Sequence, residues 1–115
     1  MRWEIKFFPP SGEKHSPGDF IKTIANRTEA TIIERRLETI RELELVDWPS
    51  AWVKKVAGIY QLKAGDHRVY FDLDGRTIIV VCHVCRKVSQ RAKEKDIGRA
   101  KANLKSYYQG KESGQ

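Results

Sequence analysis

Trp3, Ile5 and Phe7 alternate with Arg2, Glu4 and Lys6 at the start of the chain. A period of two predicts a half-buried strand, because successive side chains on a strand point to opposite faces. The segment "PPSGEKHSPGD" breaks that pattern. Within it, Ser16, Pro17 and Asp19 follow the order of a helix start: a hydroxyl N-cap, a proline at the first helical position and an acid in the first turn. A short helix carrying Phe20, Ile21 and Ile24 is expected to follow. Asn26 and Glu29 then have capping-box spacing, and Ala30, Ile33, Leu37 and Ile40 recur at three and four residues, which predicts a longer helix to about Leu43. Its other face, with Glu34, Arg35, Glu38, Arg41 and Glu42, mixes both signs and reads as solvated surface.

After "VDWPSAW", where at least one of Trp48 and Trp52 is expected to pack in the core, come three strand-like runs: 58–64, 67–73 and 76–85. Gly65-Asp66 and Asp74-Gly75 separate them. Both pairs tolerate positive φ, and Asp-Gly between apolar runs signals a type I′ hairpin. An antiparallel meander follows. Its last strand is apolar on both alternating sets, Ile79 and Val81 against Ile78 and Val80, and is therefore expected to be central and covered on both sides. Ile97, Ala100, Leu104 and Tyr107 or Tyr108 then fall at helical spacing, predicting a final helix that ends before Gly110. The order β-α-α-β-β-β-α defines an α+β class. At 115 residues the chain has room for one core, so residues 1–110 are taken as a single domain and 111–115 as a flexible tail.

Charge narrows the partners. Lys and Arg number 22 against 15 Asp and Glu, a formal charge of +7, which favours a polyanion or an acidic surface without choosing between them. The amino terminus has no continuous apolar run of the signal-peptide or membrane-span kind, so a cytoplasmic protein is expected.

The two cysteines, Cys82 and Cys85, form C-x-x-C in "VVCHVCRK". On an unbroken strand, residues an odd number apart point to opposite faces, so a zinc pair would need a bend or bulge. A thioredoxin-like motif belongs instead at a helix N-terminus after a strand. Buried structural thiols are the expectation, with no metal and no cofactor. His83 shares a strand face with Cys85 and is read first as a hydrogen-bonded structural residue, then as a reserve acid or base.

On the middle meander strand Val69, Phe71 and Leu73 point one way, and Arg68, Tyr70 and Asp72 the other. Lys63, Arg86, Lys87, Lys54 and Lys55 are placed to converge on that second face. An arginine there can grip phosphate with its planar fork, whereas lysine offers a mobile point charge. Downstream, Arg91, Lys93 and Lys95 extend the charge run.

"VKKVAGIYQLKAGDHRVYFDLDGRTIIVV", followed by "RKVSQRAKEKDIGRAKANLKSYY", resembles the RelE/ParE toxin superfamily, in particular its HigB-like, phage Gp49-related branch. The likeness covers nearly the whole chain and is most specific over residues 58–70. It implies a compact RelE-like sheet flanked by helices. It also implies a type II toxin that cleaves mRNA on the ribosome, against rRNA, and is held by an antitoxin, expected to carry a helix-turn-helix domain. In the matching positions Lys63 stands for an arginine, Arg68 for the arginine of the next strand, and Arg86 and Lys87 for paired cations after the hydrophobic strand. Gln61, Lys63, Ala92, Lys93 and "CHVC" depart from the common pattern.

The expected chemistry is attack of an mRNA 2′-hydroxyl on the adjacent phosphate, whose first step needs no metal or water nucleophile. Arg68 would stabilise the phosphorane, with Lys63, Arg86 and Lys87 as supporting cations or proton-transfer groups, Tyr70 stacking or hydrogen-bonding, and His83 in reserve. Lys54, Lys55, Arg91, Lys93 and Lys95 would track the RNA backbone. Two other classes stay open: a ParE-like inhibitor of DNA gyrase acting through the helical pair and C-terminal region, and a toxin-derived binding protein whose chemistry has decayed.

Overall fold

The helix starts form where the side chains specify them. In the computed structural model, which describes residues 2–87 and 89–112, Ser16 Oγ accepts from Asp19 N–H at 3.2 Å, opening α1 (Pro17–Thr23). Asn26 Oδ1 accepts from the N–H groups of Thr28 and Glu29 at 3.0 and 3.3 Å, opening α2 (Arg27–Glu42). These acceptors satisfy amides that a helix leaves unpaired at its first turn. The expected stripe, Ala30, Ile33, Leu37 and Ile40, is fully buried.

The other end of α2 is closed by tryptophan. Trp48 Nε1–H donates to Ile40 O, and Trp3 Nε1–H donates to Leu43 O, each at 2.9 Å. Backbone N–H groups of Arg2 and Trp3 reach Arg41 O at 3.2 and 3.1 Å. Carbonyls that the helix cannot pair internally are thus used to tie the first strand and the linker to α2. Trp48 also sets its ring against Trp3, Tyr60 and Phe71, at centroid distances of 5.5, 5.8 and 5.6 Å. Trp52 is only half-buried and lies beneath the Arg36 guanidinium at 4.5 Å.

The fold is α+β, with a five-stranded mixed sheet in the order β1-β5-β4-β3-β2. Its strands are β1 (Glu4–Phe7), β2 (Val53–Val56), β3 (Ile59–Ala64), β4 (His67–Asp74) and β5 (Ile78–Arg86). β2 to β5 form the antiparallel meander, and β1 adds to it parallel to β5, pairing Ile5 with Ile79 and Phe7 with Val81. The placement of β5 between β1 and β4 agrees with its apolar residues on both faces. α1 and α2 lie on one side over the main core; α3 (Gln90–Glu112) lies on the other, over a smaller cluster of Ile59, Tyr70, Cys82, Cys85 and Ala100.

Four expectations need correction. The chain before residue 58 holds a further strand, β2, joined to β3 by a turn in which Ala57 and Gly58 have φ of 54° and 88°; an alanine in that conformation gave the sequence no turn signal. β5 begins at Ile78 rather than Arg76. Asp74 pairs with Ile78, leaving a three-residue loop in which Gly75, at φ 69°, takes the left-handed position, so Asp74-Gly75 is not a two-residue type I′ turn. α3 continues through Gly110 to Glu112, because Gly110 lacks the left-handed φ that would end it; the last three tail residues, 113–115, lie outside the described residues.

The fourth correction concerns the cysteines. Tyr70 pairs with His83 and Phe71 with Val81, so Cys82 is an extra residue bulged out of β5. A bulge resets the alternation. Cys82 and Cys85 consequently both join the cluster under α3 instead of facing opposite sides. Asn103 Nδ2–H donates to Cys82 O at 2.9 Å, meeting a carbonyl at the interrupted ladder.

Among the described residues, no helix is long and apolar enough to cross a membrane. Trp48→Ala should cost about 3–5 kcal/mol by urea denaturation, from lost aromatic packing and the lost indole hydrogen bond to Ile40 O, which keeps the Leu43 N–H at 3.3 Å; a loss under about 1 kcal/mol would show that the aromatic cluster does not anchor the fold. Ala57→Gly should raise stability by about 0.5–1 kcal/mol, since relief of the left-handed strain exceeds glycine's added unfolded-state entropy, and a lower midpoint in the same titration would contradict the turn geometry.

Candidate functional site

The α3 side of the sheet carries two rows of side chains across the strands. Lys54, Gln61, Tyr70 and His83 are in register on β2, β3, β4 and β5; Lys63, Arg68 and Cys85 form the next row. Alternation puts each row on one face, and the Cys82 bulge is what brings His83 and Cys85 into line with Tyr70 and Arg68.

A cavity of about 270 Å³ opens between these rows and the first turns of α3. Lys54, Arg68, Arg86, Lys87 and Lys93 line it, with Gln61, Tyr70 and Cys85, and among the described residues Asp96 is the one carboxylate in its lining. The structure thus brings Arg68, Tyr70, Arg86, Lys87 and Lys54 around one space, and adds Lys93, which the sequence assigned to tracking the RNA backbone. Lys63 lies beside Arg68 on the same face but outside the cavity lining. Lys55 alternates to the opposite face, where its ammonium sits 4.9 Å from the Tyr60 ring; it does not converge with the others. Arg91 and Lys95 are exposed on α3 outside the lining.

Arg68 is positioned by its own turn. Its Nη1 donates to Gly65 O and His67 O, both at 2.9 Å, and among the described residues it has no ion pair with Asp66 or Asp72. Two carbonyls fix one nitrogen, and the guanidinium retains other N–H donors for an anion. Lys87 is held at the same end by its backbone N–H, which donates to Asp66 O at 2.6 Å.

Tyr70 is 1% exposed. Its hydroxyl accepts from Gln61 Nε2 at 3.1 Å, and its ring lies 6.2 Å from His83 at 24°. Burial raises its phenol pKa, partly offset by Gln61. In this position it packs the sheet and presents little ring for a base to stack on.

His83 Nε2–H donates to Asp96 Oδ1 at 2.8 Å. Asp96, which sequence reasoning passed over as one more charge in a solvated run, thus stands between the imidazole and the cations. Its only signal was position: six residues after the start of α3, it falls on the face that Ala100 and Leu104 turn to the sheet. His83, Cys85 and Asp96 bring one ligand atom each within 4.8 Å of one another. Burial pushes the Cys82 thiol up to about 12; burial first and Asp96 second do the same for Cys85.

A larger groove of about 520 Å³ lies between β1, α1 and α2, where Ile5, Phe7, Ile21 and Leu37 are rimmed by charges of both signs. It gathers no comparable set of cations.

No protein-family model matches the chain, and no curated protein matches it in sequence.

Both thiols should resist alkylation in the folded protein, because each is neutral far above physiological pH. Iodoacetamide labelling followed by mass spectrometry at about pH 8 should be slow before, and complete after, unfolding in urea; rapid labelling of native Cys85 would contradict its placement.

Proposed function

We propose that the protein is a ribosome-dependent mRNA endonuclease, the toxin of a type II toxin-antitoxin pair. The observation that supports this is the convergence of Arg68, Arg86, Lys87, Lys54 and Lys93 on one cavity with a single carboxylate, Asp96. Such a space attracts a phosphodiester, and a phosphate entering it relieves the repulsion among the cations. The RelE/ParE, HigB-like resemblance of residues 58–70 supplies the choice of RNA over other polyanions.

In the proposed reaction the mRNA 2′-oxygen forms a bond to the adjacent phosphorus while the bond from phosphorus to the 5′-oxygen breaks, giving a 2′,3′-cyclic phosphate and a 5′-hydroxyl. Arg68, fixed by two carbonyls, stabilises the charge on the equatorial oxygens. Asp96 accepts the 2′-hydroxyl proton, and His83 holds its carboxylate in place through the 2.8 Å hydrogen bond. Lys87 or Lys93 returns a proton to the leaving oxygen. Lys63 and the exposed Arg91 and Lys95 meet the RNA or rRNA backbone as it leaves the cavity. The partners are mRNA on the ribosome and a cognate antitoxin.

Primer extension on mRNA in a translation reaction tests this. Wild-type protein should produce cuts only on ribosome-engaged message, and Arg68→Ala, shown to be folded by circular dichroism, should slow them about 100-fold or more. Unchanged cutting removes Arg68 from the mechanism. Gyrase-linked DNA breaks in place of RNA cuts would instead identify a ParE-like inhibitor, and neither activity with retained partner binding a decayed toxin.

A further inference from the structure

The Cys82 bulge, which undoes the expected opposition of the cysteines, creates a different group of potential ligands. His83 and Cys85 are two apart on β5 and share the face turned to α3. Asp96 reaches them from the second turn of that helix. One atom from each, an imidazole nitrogen, a thiol sulfur and a carboxylate oxygen, lies within 4.8 Å of the other two.

We propose that His83, Cys85 and Asp96 form a binding site for a thiophilic divalent metal ion, with Zn²⁺ as the natural occupant. Bonds of about 2.0–2.3 Å at a tetrahedral centre set ligand atoms roughly 3.3–3.8 Å apart, so the group closes on an ion by side-chain rotation. Mixed sulfur, nitrogen and oxygen ligation favours zinc over magnesium or calcium, which take oxygen almost exclusively. Cys82 is not a ligand, since its thiol is directed at Tyr70 O at 3.4 Å.

Three protein ligands leave a fourth position open. Cys85 and Asp96 line the cationic cavity on one side and, with His83, a second cavity of about 270 Å³ on the other, which His15 also lines. Water or an exchangeable ligand reaches the ion from either. The assignment stands on ligand geometry and does not depend on RNA cleavage. An ion held there takes Asp96 out of proton transfer, which makes metal binding and the proposed nuclease step alternative uses of one carboxylate.

Titration of the tag-free chain, stripped with a chelator, with Co²⁺ should give one ion per chain, with tetrahedral d–d bands and a thiolate-to-cobalt charge-transfer band, both removed by added Zn²⁺. Cys85→Ser should lose the charge-transfer band, and Cys82→Ala should keep it. Asp96→Asn, at a side chain 23% exposed, leaves the core in place and should weaken binding at least tenfold, so it provides a reading even if Cys85→Ser fails to fold. Absence of saturable binding, a charge-transfer band that survives Cys85→Ser, or unchanged affinity in Asp96→Asn would each overturn the site.

Discussion

One extra residue in β5 governs the chemistry-bearing face of this protein. Between the pairs Phe71–Val81 and Tyr70–His83, Cys82 has no partner on β4. If alternation ran unbroken from Val81, His83 and Cys85 would point into the main core beneath α2, and Val84 would face α3. The bulge reverses that assignment. Val84 completes the core, whereas His83 and Cys85 meet α3 and Asp96. The disruption is compensated locally, since Asn103 supplies a donor to Cys82 O.

Around that constraint the two sides of the sheet divide the work. The α1–α2 side holds the larger core, and there the sheet is joined to α2 through Trp3 and Trp48, whose indole N–H groups close the helix end. The α3 side has a smaller cluster and a row of cations at its rim, where the turn carbonyls of Gly65 and His67 hold Arg68. Gathering five cations about one carboxylate opposes folding slightly, and the core beneath offsets it. That is the arrangement expected of an anion site, whose repulsion is relieved on binding.

Periodicity carried a great deal. Ser16 and Asn26 announced two helices that start where the structure starts them, and the stripe from Ala30 to Ile40 is the buried face of α2. The separation of Val69 and Phe71 from Arg68 and Tyr70 was also legible, because β4 is regular through those residues. Missed features are those in which a local pattern was overruled. β2 has only "VKKV" between a tryptophan-rich linker and an alanine in the left-handed region, too short and too charged to read as a strand. Lys55 was assigned to the cationic face for the same reason: without a strand at 53–56 there was no alternation to send it to Tyr60. Asp96 disappeared into a run of charges, although it is the carboxylate that the cavity encloses.

The α+β class, the helix starts, the apolar faces and the identity of most cations around the cavity follow from spacing along single elements and are legible in the order of residues alone. Which strand neighbours which, where β5 bulges, and hence which way His83 and the two cysteines point were decided by tertiary structure alone. A bulge depends on the register of two strands, β4 and β5, and on a helix, α3, that packs over them, and the apolar spacing along any one of these elements carries no record of the other two.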